Sequence, residues 1–457
     1  MNIYIDVETS SRELDAKLLL GIIAASRGHN VLVSHLTEIL LGFESGFLNP
    51  GIFHTTSLAP SNEKILRHEK INNNGSKITS IDEEGGLIDK GYDKFSKLRY
   101  SEKTLEQSAA VFGWGSEDTE TLKRVYPNQS KKIFNTGSPR ADLWRSNFFK
   151  YWDSPKNIPK RPYLLISSNM FSASRFRPFY QNIKHLKNLG FFQRDPEFFF
   201  DQFKMEAEDN QKTLNFIYAI NYLAKHSSGF DIVLRPHPVE NKEAWKVFLE
   251  DLPNVYVENN NCITPWINNS FALMHNSCTS AIEASISGKP IITYTPFNQK
   301  FDREIPNEIG FKVETLEKLS ETVSNLFNEA KSKKNKDQSN KIPDIISNKI
   351  QMDKDELSAE KMIKIWESLD NKKLSKKNNL FMFKATLKIS NLRRIGGKIK
   401  KNLFPTRFGV FKENYKFPFL EKKDIYNRTK RLKSVLGINE KINCDLISNR
   451  TILIRKS

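Results

Sequence analysis

Apolar positions along the chain follow two alternating rhythms. Short β-branched runs at 2–7, 31–34, 51–56, 77–81, 109–113 and 132–135 read as strands, while three-to-four-residue apolar spacing predicts helices at 11–27, 61–72 and 117–126. The first helix sets Leu14, Leu18, Ile22 and Ala25 on one face, and Ser10 or Ser11 ahead of Glu13 supplies its cap. Such alternation predicts a parallel sheet with helices on both faces.

From 148 to 162 the rhythm lapses into a proline-rich linker. A second series then places strands at 163–167, 231–235, 254–257, 271–274 and 290–294. Its helices fall at 203–225, 242–249, from about Thr279 onward, and 315–330. The expected architecture is α/β, with two Rossmann-like domains at 1–150 and 161–335. Ligands of such sheets bind at the carboxyl ends of the strands, so two facing domains would hold one in a central cleft. A lysine-rich loop follows at 331–341, then a closing helix within 350–370 whose Met362, Ile365, Trp366 and Leu369 form a core-facing stripe.

Composition changes the picture mainly at the end. The 457 residues are 38% hydrophobic, enough for a sizeable core, and carry a formal charge of +18. Residues 371–457 hold 24 Lys and Arg against 5 Asp and Glu, which leaves the first 370 residues close to neutral. In that tail Leu392, Ile395, Ile399 and Leu403 keep helical spacing among Arg393, Arg394, Lys398, Lys400 and Lys401, interrupted by Gly396 and Gly397. A basic amphipathic segment suits an anionic membrane surface, at roughly 1 kcal/mol per basic residue near it. Large apolar residues and the lack of a nucleic-acid motif favour membrane over DNA or RNA. Cys262, Cys278 and Cys444 form no CxxC pair and the eight histidines no HExxH pattern, so neither disulfides nor a metal site are expected. With no signal-peptide pattern and no apolar run of spanning length, the expected location is cytoplasmic, peripheral on the inner membrane.

Four groups of residues can carry chemistry. Asn276, Ser277, Thr279 and Ser280 crowd the turn between a buried strand and a helix start, where N–H groups, hydroxyls and the helix dipole favour a phosphate. Glu283, one turn on, can accept hydrogen bonds from a ribose diol. Next, Arg235-Pro236-His237-Pro238 ends another strand, with the prolines fixing the backbone around His237. The arginine offers a fork for phosphate and the histidine can protonate a leaving group. Third, Asp82-Glu83-Glu84-Gly85-Gly86 ends a strand of the first domain. Mutual repulsion there can raise a carboxyl pKa, and the glycines allow close backbone approach. Last come weaker substrate-binding candidates: Arg12 in the first strand–helix loop, Gly85, Arg140 (which can instead bond Asp142) and Asn169.

Taken together, RELDAKLLL, IDEEGG, TGSPRADL, RPHP and HNSCTSAIEA…GKPIITY resemble bacterial surface-carbohydrate biosynthesis proteins of the GT-B glycosyltransferase type. They are similar to capsule Kdo transferases and to pseudaminic and legionaminic acid transferases. Bacterial sialyltransferases of that fold share an acidic (D/E)-(D/E)-G, an HP dipeptide and a paired hydroxyl motif. These match Glu83-Glu84-Gly85, His237-Pro238 and the hydroxyls of Ser277–Ser280, and the resemblance spans roughly residues 1–330. It implies a CMP-activated nonulosonic acid (pseudaminic, legionaminic, sialic or Kdo type) as donor, held mainly by the second domain. The acceptor would be a capsule or lipopolysaccharide glycan, or its lipid-linked form. It also implies no metal or other cofactor, and an acid from the first domain: Glu84 first, with Glu83 and Asp82 as alternatives. A CDP-glycerol phosphotransferase or UDP-sugar 2-epimerase would use the same phosphate turn. A non-catalytic, membrane-bound glycan-assembly scaffold is the reading from another class.

Overall fold

The computed structural model describes residues 1–88, 91–175, 178–188, 190–226, 228–260, 262–302, 304–332, 344–370, 376–390 and 417–457. They form two compact units, one of Met1–Tyr151 with Ser347–Ser457, the other of Trp152–Ile346. Among the described residues no helix is long and apolar enough to cross a membrane.

The first unit opens with β1 (Asn2–Asp6), β2 (Asn30–Ser34), β3 (Ile52–Thr55), β4 (Lys77–Ile81), β5 (Ser108–Gly113) and β6 (Ile133–Asn135), all parallel. Every residue of β1 and β3 is buried, as expected for strands covered on both faces. Strand order runs β2-β1-β3-β4-β5-β6, so the winding reverses between β1 and β3. The helix Ser10–Ser26 is buried from Glu13 through Ala25, more than one apolar face would require. The cause is a second layer: the helices Ser358–Ser368 and Lys422–Val435 both pack on it.

Part of the region 371–457, expected to be a basic membrane-associating tail, is built into this layer. Residues 380–390 are helical and bury Phe383 and Leu387 in one core with Tyr4 and Leu32. At the chain's end β13 (Ile442–Ser448) and β14 (Thr451–Lys456) form an antiparallel hairpin, and β14 pairs antiparallel with β2 from Thr451↔Ser34 to Ile454↔Val31. Four β-branched or apolar residues, Thr451–Ile454, thereby cover an open sheet edge, which a regional charge count cannot reveal. Some of the basic residues are structural too: Arg428 bonds Asp15 at 2.6 Å and Asp424 at 2.9 Å. The amphipathic stretch from Leu392 to Leu403 lies outside the described residues. The closing helix also belongs to this unit, where the Trp366 indole donates to Thr79 at 3.0 Å.

The second unit has β7 (Tyr163–Ser167), β8 (Asp231–Arg235), β9 (Val255–Val257), β10 (Ala272–His275), β11 (Ile291–Tyr294) and β12 (Phe311–Val313). All are parallel, in the order β12-β11-β10-β7-β8-β9. Counted from β7, this is the 3-2-1-4-5-6 order of a doubly wound Rossmann sheet, reversing between β7 and β10. Its core joins Leu164, Ile166, Phe216, Ile220, Leu234, Met274 and Ile292 from strands and the helix Pro196–His226.

Candidate functional site

In open α/β sheets the crevice lies beyond the carboxyl ends of the strands, where the winding reverses. In the second unit that place is occupied by the loop after β7 and the turn after β10. The Asn169 side-chain amide donates to the Ser277 carbonyl at 3.1 Å, tying the two together. Ser277 has φ 56°, the one positive φ outside glycine among the described residues. Left-handed backbone at a serine costs free energy and persists only where its surroundings impose it. Here the Ser277 N–H is held by Asn307 Oδ1 at 2.6 Å, Asn307 donates to Asp302 at 3.2 Å, and Asp302 takes the buried Lys212 ammonium at 2.6 Å. From below, His275 Nδ1 accepts the Cys278 N–H at 3.4 Å, so its Nε2 carries the proton towards Thr293 Oγ1 at 3.1 Å. Burial pushes His275 down to about 3, which keeps it neutral and keeps that tautomer.

The candidate hydroxyls divide. Ser280 is buried with its hydroxyl on Cys278 Sγ at 3.2 Å, and Thr279 begins the helix Ser280–Ile286 without making a side-chain cap bond. Asn276 is buried and donates to the Tyr294 carbonyl at 2.9 Å, bracing the turn from inside. Glu283 is buried in the first helical turn, within electrostatic reach of Arg235.

Arg235 is likewise buried, which lowers its pKa to about 10. It donates to the Asn260 carbonyl at 2.9 Å and lies 5.3 Å from the Trp266 ring, so part of its fork serves the floor of the site. His237 sits half-buried in the next loop, where Nδ1 accepts the Val239 N–H at 3.3 Å. That bond leaves the proton of the neutral ring on Nε2. The loop is anchored by Glu240, which accepts from the Ser168 hydroxyl at 2.7 Å, the Met170 N–H at 2.8 Å and the Trp245 indole at 2.6 Å. Burial raises Glu240 to about 7 against those bonds. Glu240 and Asn307 had no local signal in the sequence. Both act across loops that only the fold brings together.

In the first unit the reversal point lies at β1 and β3, and the acidic motif after β4 joins it through the helix Ser10–Ser26. Glu83 is buried against the Lys17 ammonium at 2.6 Å, and its own carbonyl accepts from Arg140 at 2.7 Å. Burial alone would raise Glu83, but the charges of Lys17 and Arg140 prevail and hold it below the usual carboxylate range. Glu13, buried beside it, is raised by burial and by the charge of Glu83. Glu84 is different: its side chain is 53% exposed and meets Arg12 at 3.2 Å. Asp82 is turned away into a 2.7 Å bond with Arg99. The three adjacent carboxylates therefore have three environments, and Glu84 is the accessible one.

Two expectations are revised here. A Cβ on Gly85 or Gly86 would stand 2.9 or 2.6 Å from the Trp114 ring, so these glycines make room for an indole, not for a ligand. Arg140 does not bond Asp142. It stacks near Trp114 and Trp144, while Asp142 caps the helix Ser358–Ser368 through the N–H groups of Ser358 and Ala359 at 3.1 and 3.0 Å.

Asp6, at the end of β1, was not anticipated. It is 4% exposed and accepts from Thr55 Oγ1 at 3.3 Å, and its Oδ1 has no hydrogen-bond partner among the described residues. Burial first, then the charge of Glu13, raises it to about 7. Nothing in the local sequence marks a carboxylate whose partner is on another strand. No group of three or more His, Cys, Asp or Glu among the described residues is arranged to hold a metal ion.

No family model matches the chain, and no curated protein matches it. Among solved structures, the chain is similar to the UDP-GlcNAc 2-epimerase of Methanocaldococcus jannaschii, at 16% identity and a TM-score of 0.49 over 80% of this chain and 100% of that one. It is also similar to the UDP-GlcNAc 2-epimerase of Neisseria meningitidis, at 13% and 0.46 over 81% and 100%. A variant of the wall teichoic acid polymerase TagF matches at 11% and 0.49 over 81% and 90%.

Proposed function

We propose that this chain is a GT-B-type glycosyltransferase of surface-glycan assembly, using a sugar carried on a nucleotide. The observation that carries the reading is the Asn169–Ser277 link across the reversal point of a 3-2-1-4-5-6 sheet, with Ser277 held in a strained turn. Backbone strain imposed by a buried support is characteristic of ligand sites, and this crevice is where doubly wound sheets bind nucleotides. In the finer reading, which rests on the resemblance of the motifs, the donor is a CMP-activated nonulosonic acid.

In that reaction the bond from the anomeric carbon to the CMP phosphate breaks, leaving an oxocarbenium-like centre that carboxylates stabilise. Departure of the phosphate is favoured when donors already surround it. His237, with its neutral-ring proton on Nε2, can donate a hydrogen bond to the leaving phosphate and stabilise the charge that develops there. Glu84, exposed and oriented by Arg12, takes the acceptor proton if the reaction inverts, or attacks the anomeric carbon if it retains.

The test is to incubate the full chain with CMP-activated nonulosonic acids, CDP-glycerol and UDP-N-acetylglucosamine, each with glycan acceptors, and follow which donor is consumed. Consumption of a CMP-sugar supports the finer reading. Consumption of CDP-glycerol or epimerisation of the UDP-sugar replaces it with the corresponding alternative, and nucleotide binding without turnover of any donor would indicate a scaffold. With the active donor, His237→Ala is expected to lower kcat about 10²-fold at an unchanged melting temperature. Unchanged turnover would remove His237 from the site.

A further inference from the structure

The layer that the C-terminal residues add to the first unit encloses a feature that the proposed reaction does not use. A cavity of about 440 Å³ opens between the helical residues 380–390, the start of the helix Lys422–Val435 and the hairpin β13–β14. Ligand sites typically span about 300–1,000 Å³. Leu380, Leu446, Ile447 and Leu453 give it apolar walls, and Phe381 stands beside them 81% exposed. Lys384, Lys422 and Arg455 also line it, and none of the three pairs with a carboxylate among the described residues. One acid, Asp445, shares the wall.

Two halves of an amphiphile are thus provided for. Apolar walls with an exposed phenyl ring accept hydrocarbon, and three cations that outnumber the single Asp445 in the wall accept a phosphate. Residues 391–416 are poor occupants because they carry eight Lys and Arg against one Glu and would be repelled by the same cations. An acidic protein would satisfy the charges but leave the apolar wall unused.

We propose that this cavity binds an anionic phospholipid, with the phosphate at Lys384, Lys422 and Arg455 and the first acyl carbons against Phe381, Leu446 and Leu453. Lipid contact would then be a property of the folded first unit, independent of residues 391–416 and of the donor site in the second unit.

The experiment is calorimetric titration of the full chain with dihexanoyl phosphatidic acid below its critical micelle concentration, beside dihexanoyl phosphatidylcholine and glycerol phosphate. Saturable binding of the phosphatidic acid alone is expected. Lys384→Gln, Lys422→Gln and Arg455→Gln combined should weaken it about ten-fold or more. Phe381→Ser should weaken it several-fold, and Asp445→Asn should tighten it. The substituted side chains are exposed, so matching melting curves certify the fold. Equal binding of phosphatidylcholine, glycerol phosphate binding as well as the lipid, or wild-type affinity in the triple variant would each overturn the assignment. Loss with the triple variant but not with Phe381→Ser would point to an acidic partner and overturn it too.

Discussion

Lys17→Met is expected to destabilise the first unit by about 3–5 kcal/mol, the usual cost of leaving one member of a buried ion pair behind. Lys17 sits inside the helix Ser10–Ser26 at 1% exposure, with Glu83 at 2.6 Å. Its charge also lowers the pKa of both Glu13 and Asp6. Replacing it leaves three buried carboxylates with only the peripheral cations Arg12 and Arg140. The double variant Lys17→Met, Glu83→Leu should recover most of the loss, because two apolar groups of similar volume replace a pair that was costly to desolvate. The pH dependence has a definite sign. In the wild type, Glu83 is depressed, so its contribution is present above the unfolded carboxyl pKa and disappears as pH falls through the folded value. Asp6 has the opposite sign: raised to about 7, it removes stability as pH climbs from about 4 through 7. Without Lys17 all three carboxyls shift upward, so the gap in melting temperature between variant and wild type should be widest above pH 7 and narrow towards pH 5. A gap that stays constant with pH, or a variant as stable as the wild type, would mean that the network does not hold this unit together.

Glu84→Gln is expected to do the reverse, lowering kcat by about 10²–10⁴ with little change in melting temperature. The side chain is exposed, and its ion pair with Arg12 is of the surface kind, worth about 0–1 kcal/mol. Glu83→Gln should instead lose stability through its buried contact with Lys17. Measuring both variants by initial rate and thermal melting separates a group that acts on substrate from one that supports it. If Glu84→Gln retains full turnover while Asp6→Asn abolishes it, the carboxylate at the end of β1 takes the catalytic role.

Much of this was legible in the chain, for identifiable reasons. β4, β7 and β8 were anticipated to the residue, because buried parallel strands are short apolar runs bounded by turn residues. Glu84, His237 and Ser277 were expected just beyond strand ends, and lie there, because glycine, proline and hydroxyl clusters mark such turns. What such local signals could not give is the use of a turn. Gly85 and Gly86 looked open to a ligand, yet the ring that fills the space, Trp114, comes from beyond the next strand. The support of Ser277 by Asn307, Asp302 and Lys212 joins residues far apart in sequence. The C-terminal hairpin was hidden differently, since the charge of 371–457 as a whole outweighed the four-residue run Thr451–Ile454 that pairs with β2.

The most direct test is nucleotide binding by the second unit within the full chain. Melting temperatures should be followed against CMP, CDP and UDP for the wild type and for Ser277→Val, a β-branched residue that resists the left-handed backbone of that turn. A nucleotide at 100 times its Kd should stabilise the wild type by about 2.7 kcal/mol, with the shift lost in the variant. No shift with any of the three at millimolar concentration, or the same shift in Ser277→Val, would contradict the account.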